Sequence, residues 1–388
     1  IRDSRPDWHA ELPSVRQVSL SIMGFKRILR LPGKVRTYLN QARPYRSVPQ
    51  QIFDLFEHKL RINTCFVDYY RFGFYKSDES WAEKSMYLGP NGSKYWPFEG
   101  NSLRYDTMFV VKSVQKTLLM GAGLPTPPLL LKAGKNYPIN SLENFRQAFD
   151  EIDVSVVCKF DGGGGGDDIL VLDRDDNGFH ANGERVTAEK VWAQYADRIE
   201  RGFFIEEQIS NHPEIDALYP HALNTLRIAI ARTGDGKWHC LNPFLKIARG
   251  GARIDNMSAG GLFAGIDKDG VLDTAYCRFD DKEYSVHPDT GTKIEGFQVP
   301  LFKEALDLAE KAASTFGFMQ TFGWDMAITP DGPVIIEANT GWNFKAVQQR
   351  LGPYLTPKIA AGFRPRAWYT PWDRTHTVSY THLRAHET

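Results

Sequence analysis

The chain has 388 residues, 42% of them hydrophobic and 24% charged, with 47 basic against 47 acidic side chains and no formal net charge. That is apolar material for about two domains with buried cores, and a charge balance that offers no grip for nucleic acid or an anionic membrane. No apolar run approaches the ~20 residues of a membrane span, and Cys65, Cys158, Cys240 and Cys277 are too far apart for a zinc site, so the reading is a reduced, cytoplasmic protein without a transmembrane segment.

Residues 1 to about 105 are rich in aromatic and basic side chains. SLSIMGFKRILRL, from Ser19 to Leu31, carries Lys26, Arg27 and Arg30 and reads as a solvated first helix or as a basic amphipathic one that touches a membrane or partner. QQIFDLFEHKLRINTCFVDYYRFGFY has helical spacing, and no chemistry stands out in it. A helix is expected from Thr107 to Met120, with Gly121 and Gly123 as stop signals and Pro125 beyond. Ser141 and Thr187 are N-cap candidates for SLENFRQAFDEI and TAEKVWAQYADRIE, and Gly202 ends the second. Between and after them lie strand-like runs: VSVVCKF, DDILVLD, RGFFIEEQI, LRIAIAR, WHCLNPFLKIA and GLFAGID. The helix LFKEALDLAEKAASTFG then precedes the hairpin FGWDMAITPDGPVIIEAN. The order of helices and strands makes this a mixed, α+β chain.

Both ends read as incomplete. The chain starts at Ile1 with no signal-peptide pattern. The tail HTVSYTHLRAHET, with His376, His382 and His386, resembles translated adapter sequence and is expected to be foreign to the gene.

Two stretches carry chemistry. In KFDGGGGGDDI, a run of five glycines, Gly162, Gly163, Gly164, Gly165 and Gly166, joins two β-rich runs. A flexible linker has polar neighbours; this loop has strands on both sides. It is either a floppy surface hairpin or a tip whose backbone N–H groups must approach an anion with no Cβ in the way, with Lys159 adding a point charge. It is not a P-loop, because Asp167 follows where GK[ST] should open a helix, and not a Rossmann loop, because a strand follows. In the last hairpin, Pro330-Asp331-Gly332 taken as a three-residue loop sets Asp325 opposite Glu337, with Asn339 on the same face. Trp324, Met326, Ile328, Val334, Ile336 and Ala338 then share the core face. Facing carboxylates repel. The pair is either a solvated acidic face or an oxygen-ligand site for Mg²⁺.

VVKSVQKTLLMGAGLPTPPLL, VVCKFDGGGGGDDI, FFIEEQI and WDMAITPDGPVIIEAN, in that order, resemble an ATP-grasp enzyme over about residues 106–350. LNTLRIAIAR with RGGARIDNMSAGG narrows the resemblance to the sugar-transfer-associated ATP-grasp group, related to α-L-glutamate ligases. The resemblance implies an ATP-grasp fold: two α+β subdomains closing on ATP, preceded by a mainly helical N-terminal region. The expected domains are 1–105, an ATP-grasp domain at 106–365 with a lid at about 125–210 and a metal-binding part at about 211–365, and an extension at 366–388. Lys112 and Lys159 would hold the phosphates under Gly162–Gly166. Glu206, Glu207, Gln208 and Ile209 would frame the adenine, largely through backbone groups, with Glu206 or Glu207 on adenine or ribose. Asp325, Glu337 and Asn339 would bind one or two Mg²⁺.

Arg227 and Arg249 are candidates for a bidentate clamp on a carboxylate or acyl phosphate, or else structural ion pairs. Asn256, Ser258, Gly260 and Gly261 are candidates for the acceptor pocket. Ala259 stands where glutamate ligases tend to carry arginine before the paired glycines, which puts glutamate as substrate in doubt. The implied activity is an ATP- and Mg²⁺-dependent carboxylate–amine ligase working through an acyl phosphate. The alternatives are a phosphotransferase on a hydroxyl, and a non-catalytic nucleotide-binding module of a polysaccharide assembly system.

Overall fold

The computed structural model describes residues 32–62, 64–76, 79–87, 101, 103–162, 169–340, 342, 345–356 and 359. Ser19–Leu31, Gly163 to Gly166, and the tail with His376, His382 and His386 lie outside the described residues. The chain divides into two compact units, residues 1–85 with 89–93, and 86–88 with 94–388.

The first unit is helical: α1 (Pro32–Ala42), α2 (Val48–Ile62), α3 (Phe66–Arg71) and α4 (Trp81–Lys84). On α2, Gln51, Leu55 and His58 recur at helical spacing and are buried. They meet Tyr69, Tyr70, Phe74 and Tyr75, all buried. The tyrosine hydroxyls find partners: Tyr69 donates to Asp54 Oδ2 at 2.8 Å and Tyr70 to Gln51 Oε1 at 3.0 Å. Burial holds the His58 imidazole down at about 4, so the ring packs neutral on Phe74.

The second unit opens with two helices where one was expected. The chain runs helical over α5 (Leu103–Val110), breaks at Val111 (φ −86°, ψ 107°), and restarts as α6 (Lys112–Gly121). The reason lies 48 residues away: Asp161 accepts from the Ser113 amide at 2.7 Å and from its hydroxyl at 2.6 Å. A tertiary carboxylate thus satisfies first-turn donors and sets a helix start at Lys112 that local propensity does not mark.

Two antiparallel sheets follow. The first has the order β1-β6-β2-β3-β4-β5. Its strands are β1 (Leu129–Ala133), β2 (Val156–Phe160), β3 (Ile169–Asp175), β4 (Gly178–Ala181), β5 (Glu184–Val186) and β6 (Phe203–Glu207). Helices α7 (Leu142–Asp150) and α8 (Ala188–Tyr195) pack on it through Phe145, Phe149, Val191 and Tyr195. Both expected N-caps form: Ser141 Oγ accepts from the Asn144 amide and Thr187 Oγ1 from the Lys190 amide. Gly202 has φ +81°, and a Cβ there would stand 2.5 Å from Tyr137, so the turn into β6 requires glycine.

The second sheet has the order β11-β10-β9-β8-β7-β12-β13. Its strands are β7 (Thr225–Arg232), β8 (Trp238–Ile247), β9 (Leu262–Gly265), β10 (Ala275–Cys277), β11 (Lys282–Tyr284), β12 (Thr321–Thr329) and β13 (Gly332–Asn339). The short α9 (Pro213–Asp216) precedes them. Helix α10 (Phe302–Thr315) buries Ala305, Leu308, Ala309 and Ala312 against the face that carries Ile228, Trp324 and Met326. The opposite face holds Ala229, Phe244, Phe263 and Trp342. Helix α11 (Lys345–Leu351) follows β13.

The last hairpin departs from expectation in its turn and in two side chains: Val334, expected inside, is half-buried and pairs with Ala327, and Ile336 also leaves the core. Thr329 pairs with Gly332, so the loop is the two residues Pro330 and Asp331. A bulge between Asp325 and Met326 then skips Ile336 on β13: Met326 pairs with Ile335, and Asp325 with Glu337. The expected carboxylate pairing is present, by a shorter loop plus a bulge rather than by a longer loop. The bulge also re-aims the strand. Ile335 takes the core position, while Ile336, expected inside, lines the cavity beside Glu337.

Candidate functional site

One cavity of about 610 Å³ is walled by both sheets of the second unit. Strands β2, β3 and β6 supply Val157, Lys159, Ile169, Val171 and Glu206; strands β7, β8, β12 and β13 supply Arg227, Lys246, Asp325 and Glu337. Arg253, in the loop after β8, reaches across to Asp173 on β3 at 2.6 Å and joins the two sheets at the cavity.

The cavity wall alternates cations and carboxylates. Lys112, at the first turn of α6, lies 2.5 Å from Glu337 Oε1. Lys159 ion-pairs with Glu206 Oε1, and Lys116, behind it, lies 2.8 Å from Oε2. Arg227 grips Asp325 with a fork, Nε to Oδ1 at 2.7 Å and Nη2 to Oδ2 at 2.9 Å. Lys246 Nζ is 3.2 Å from Asp325 Oδ1. Burial would raise the Asp325 carboxyl; Arg227 and Lys246 overcome it and hold the group far below the usual carboxylate range. Burial also raises Asp255, whose Oδ2 accepts from the Thr225 amide at 2.8 Å and hydroxyl at 2.5 Å.

This arrangement revises the argument that facing carboxylates need a metal. Arg227, Lys246 and Lys112 already neutralise Asp325 and Glu337, so their juxtaposition is tolerated without a divalent ion. Among the described residues no group of three or more His, Cys, Asp or Glu is placed to hold a metal. The expected set has two carboxylates and an amide. Asn339 donates its amide to Asp325 Oδ2 at 3.1 Å. Glu337 Oε2 and Asn339 Oδ1 take no hydrogen bond among the described residues, so the oxygen donors that Mg²⁺ prefers remain on this face.

The expected adenine segment lines the cavity from Glu206 to Ile209. Its amides are partly committed: Glu207 N–H donates to Pro128 O at 2.9 Å and Gln208 N–H to Ser155 O at 2.8 Å. The Glu206 carboxylate is held between two lysines rather than turned toward a ribose; Glu207 is half-buried on the cavity wall.

Arg249 is where the structure departs most from expectation: it does not line the cavity. Its Nε donates to Gly260 O at 2.7 Å, Nη1 to the Tyr284 hydroxyl at 2.8 Å, and Nη2 to Asp280 Oδ2 at 3.0 Å and Cys277 Sγ at 3.1 Å. It ties the loop after β8 to β10 and β11. Asn256 and Ser258 line the cavity, whereas Gly260 and Gly261 shape the turn behind it. Gly260 has φ +99°, and a Cβ on Gly261 would stand 2.9 Å from Asn256 O. Arg249→Ala is therefore expected to lower the melting temperature by a few °C, through lost hydrogen bonds to a charged group, and to leave ATP affinity within about twofold of wild type. A thermal melt with a nucleotide titration checks this; weakened binding at unchanged melting would return Arg249 to the ligand.

Lys116, Lys246, Asp255 and Arg253 were not singled out in the sequence. The only local signal for Lys246 and Asp255 is their place within the glycine-rich KIARGGARIDN, where the expectation falls on Arg249 instead.

A family model described as sugar-transfer associated ATP-grasp matches residues 99–361. No curated protein matches the chain. Among solved structures it is similar to an N5-carboxyaminoimidazole ribonucleotide synthetase in complex with ADP, at 14% identity and TM-score 0.38, over 62% of this chain and 46% of that one. It is similar to a D-alanyl-alanine synthetase A from Vibrio cholerae at 16% identity and TM-score 0.39, over 64% and 61%. It is also similar to the biotin carboxylase domain of a Hydrogenobacter thermophilus 2-oxoglutarate carboxylase at 16% identity and TM-score 0.37, over 67% and 47%. The chain spans about half to three fifths of the length of these structures. Among the described residues, no helix is long and apolar enough to cross a membrane.

Proposed function

Since the chain belongs to the sugar-transfer associated ATP-grasp family, we propose that it is an ATP- and Mg²⁺-dependent carboxylate–amine ligase acting through an acyl phosphate. The observation that carries this reading is the cavity wall, where Lys112, Lys159, Arg227 and Lys246 converge from separate elements, each already ion-paired. A polyphosphate entering such a wall takes charge-assisted hydrogen bonds from these cations to its own oxygens. Lys112 and Lys159 hold its phosphates, and Glu207 to Ile209 border its base, the Glu206 carboxylate being taken up by Lys116 and Lys159. Mg²⁺, when held by Glu337, Asn339 and Asp325, supplies charge neutralisation on the transferring phosphoryl group.

In the reaction a carboxylate oxygen of the substrate attacks the γ-phosphorus and ADP leaves. An amine then adds to the acyl carbon, loses its proton and expels phosphate. The chain's own residues orient the two partners. Arg227, whose Nη1 takes no part in the fork to Asp325, is assigned to the carboxylate in place of Arg249. Asn256 and Ser258 border the acceptor. Water must be kept out, since it would hydrolyse the acyl phosphate.

Hydroxylamine provides the test. With ATP, Mg²⁺ and a panel of amino acids and sugar acids, one carboxylate is expected to yield ADP, phosphate and a hydroxamate. A phosphorylated product without hydroxamate would replace the ligase with a hydroxyl kinase. ATP binding with no turnover across the panel would favour the non-catalytic module.

A further inference from the structure

Helix α6 carries two lysines one turn apart, Lys112 and Lys116, and only the first lines the cavity. Lys116, one turn on along the same side of the helix, sits behind the wall. Its side chain is 3% exposed, and so is that of Glu206. The Lys116 ammonium donates to Thr126 Oγ1 at 2.7 Å and lies 2.8 Å from Glu206 Oε2. The other oxygen of Glu206, Oε1, pairs with Lys159, which does line the cavity. One buried carboxylate is thus shared by two lysines, one behind the wall and one on it.

A lone buried pair would need no third charge. Lys159 with Glu206 would be neutral, and a buried ammonium at Lys116 is costly to keep. With Lys116 present, the cluster carries a net charge of one positive unit, and its outer member is the cavity lysine. We propose that Lys116 is a positioning residue for nucleotide binding: it holds one oxygen of Glu206, so that Glu206 does not capture Lys159 with both, and Lys159 keeps its charge for an anionic group in the cavity. The inference rests on the nucleotide reading of this cavity and adds to it a residue that never touches the ligand.

Two further observations agree. Burial pushes the Lys116 ammonium down to about 8, with Glu206 opposing, so the group is still charged near neutrality. Burial would raise the Glu206 carboxyl, yet Lys159 and Lys116 together hold it below its ordinary value. The carboxylate is therefore anionic and has to be balanced from both sides.

The test is a pair of variants read by ATP binding in calorimetry at fixed ionic strength, on the full chain, with a melting curve for each. In Lys116→Met the cluster becomes neutral, and ATP affinity is expected to fall about 10- to 100-fold, the range of a charge-assisted contact. In the double variant Lys116→Met with Glu206→Gln, the competing carboxylate is gone and Lys159 again carries the single positive charge. ATP affinity is then expected to recover to within about threefold of wild type. A merely structural role for Lys116 has no reason to be rescued by removing a second buried partner. Wild-type affinity in Lys116→Met overturns the proposal, as does a double variant that binds no better than the single. Where Lys116→Met alone fails to fold, the double variant decides by the same threefold criterion. Wild-type protein that takes no ATP would sink the nucleotide reading, and this inference with it.

Discussion

Glu337→Ala is expected to abolish Mg²⁺-dependent ATP turnover while the protein stays folded. The separation of the two faces of β13 is the reason. Ile335 and Ala338 are buried in the core, whereas Glu337 faces the cavity with its side chain 29% exposed. Truncation therefore opens no core cavity, and the melting temperature should move little. What disappears is a carboxylate with one oxygen on Lys112 and the other toward the cavity. A site left with Asp325, already gripped by Arg227 and Lys246, offers a hard cation too little negative charge. Steady-state ADP release across a Mg²⁺ titration measures the effect. Turnover above a tenth of wild type at saturating Mg²⁺ would remove Glu337 from the metal site. Glu337→Gln separates charge from shape: it keeps an oxygen for Lys112 and is expected to be nearly as inactive.

Lys159→Met is expected to reduce kcat by about 10²–10³, the usual loss when one preorganised partner of a developing charge is removed. Lys159 is 8% exposed and lines the cavity at the end of β2, where the glycine run begins. Methionine keeps the length and apolar stem of the side chain and deletes only the charge. Glu206 would retain Lys116 as its cation, so a folded protein is expected. If kcat stays within tenfold of wild type while KM for ATP rises, Lys159 contributes ground-state binding alone. If neither changes, the lysine before the glycines has no part in the chemistry.

How far the sequence carries differs from residue to residue. The strands on either side of the glycines, the N-caps at Ser141 and Thr187, and helix α10 all follow from local signals. Alternation and 3.6-residue spacing act over a few neighbours and survive almost any tertiary context. The family resemblance rests on the same short motifs in order, and residues 99–361 match that family.

What escaped local reading depended on distant partners. Val111 breaks a helix because Asp161 caps Ser113 from 48 residues away. Ile336 leaves the core because a bulge, not a longer turn, brings Glu337 opposite Asp325. Two readings of one hairpin give the same carboxylate pair and opposite positions for the residue beside it, and alternation alone does not choose between them. Arg249 and Lys116 show the same limit in mirror image. Arg249 stands among glycines, as a ligand-binding arginine would, and is bound instead to Gly260, Cys277, Asp280 and Tyr284. Lys116 stands on an amphipathic helix, where lysine is normally solvated, and is buried against Glu206. Sequence determined which residues could carry charge and which stretches were strands or helices. Only the tertiary structure decided which charges meet, because an ion pair is set by the close approach of side chains tens of residues apart, and no periodicity along the chain encodes that approach.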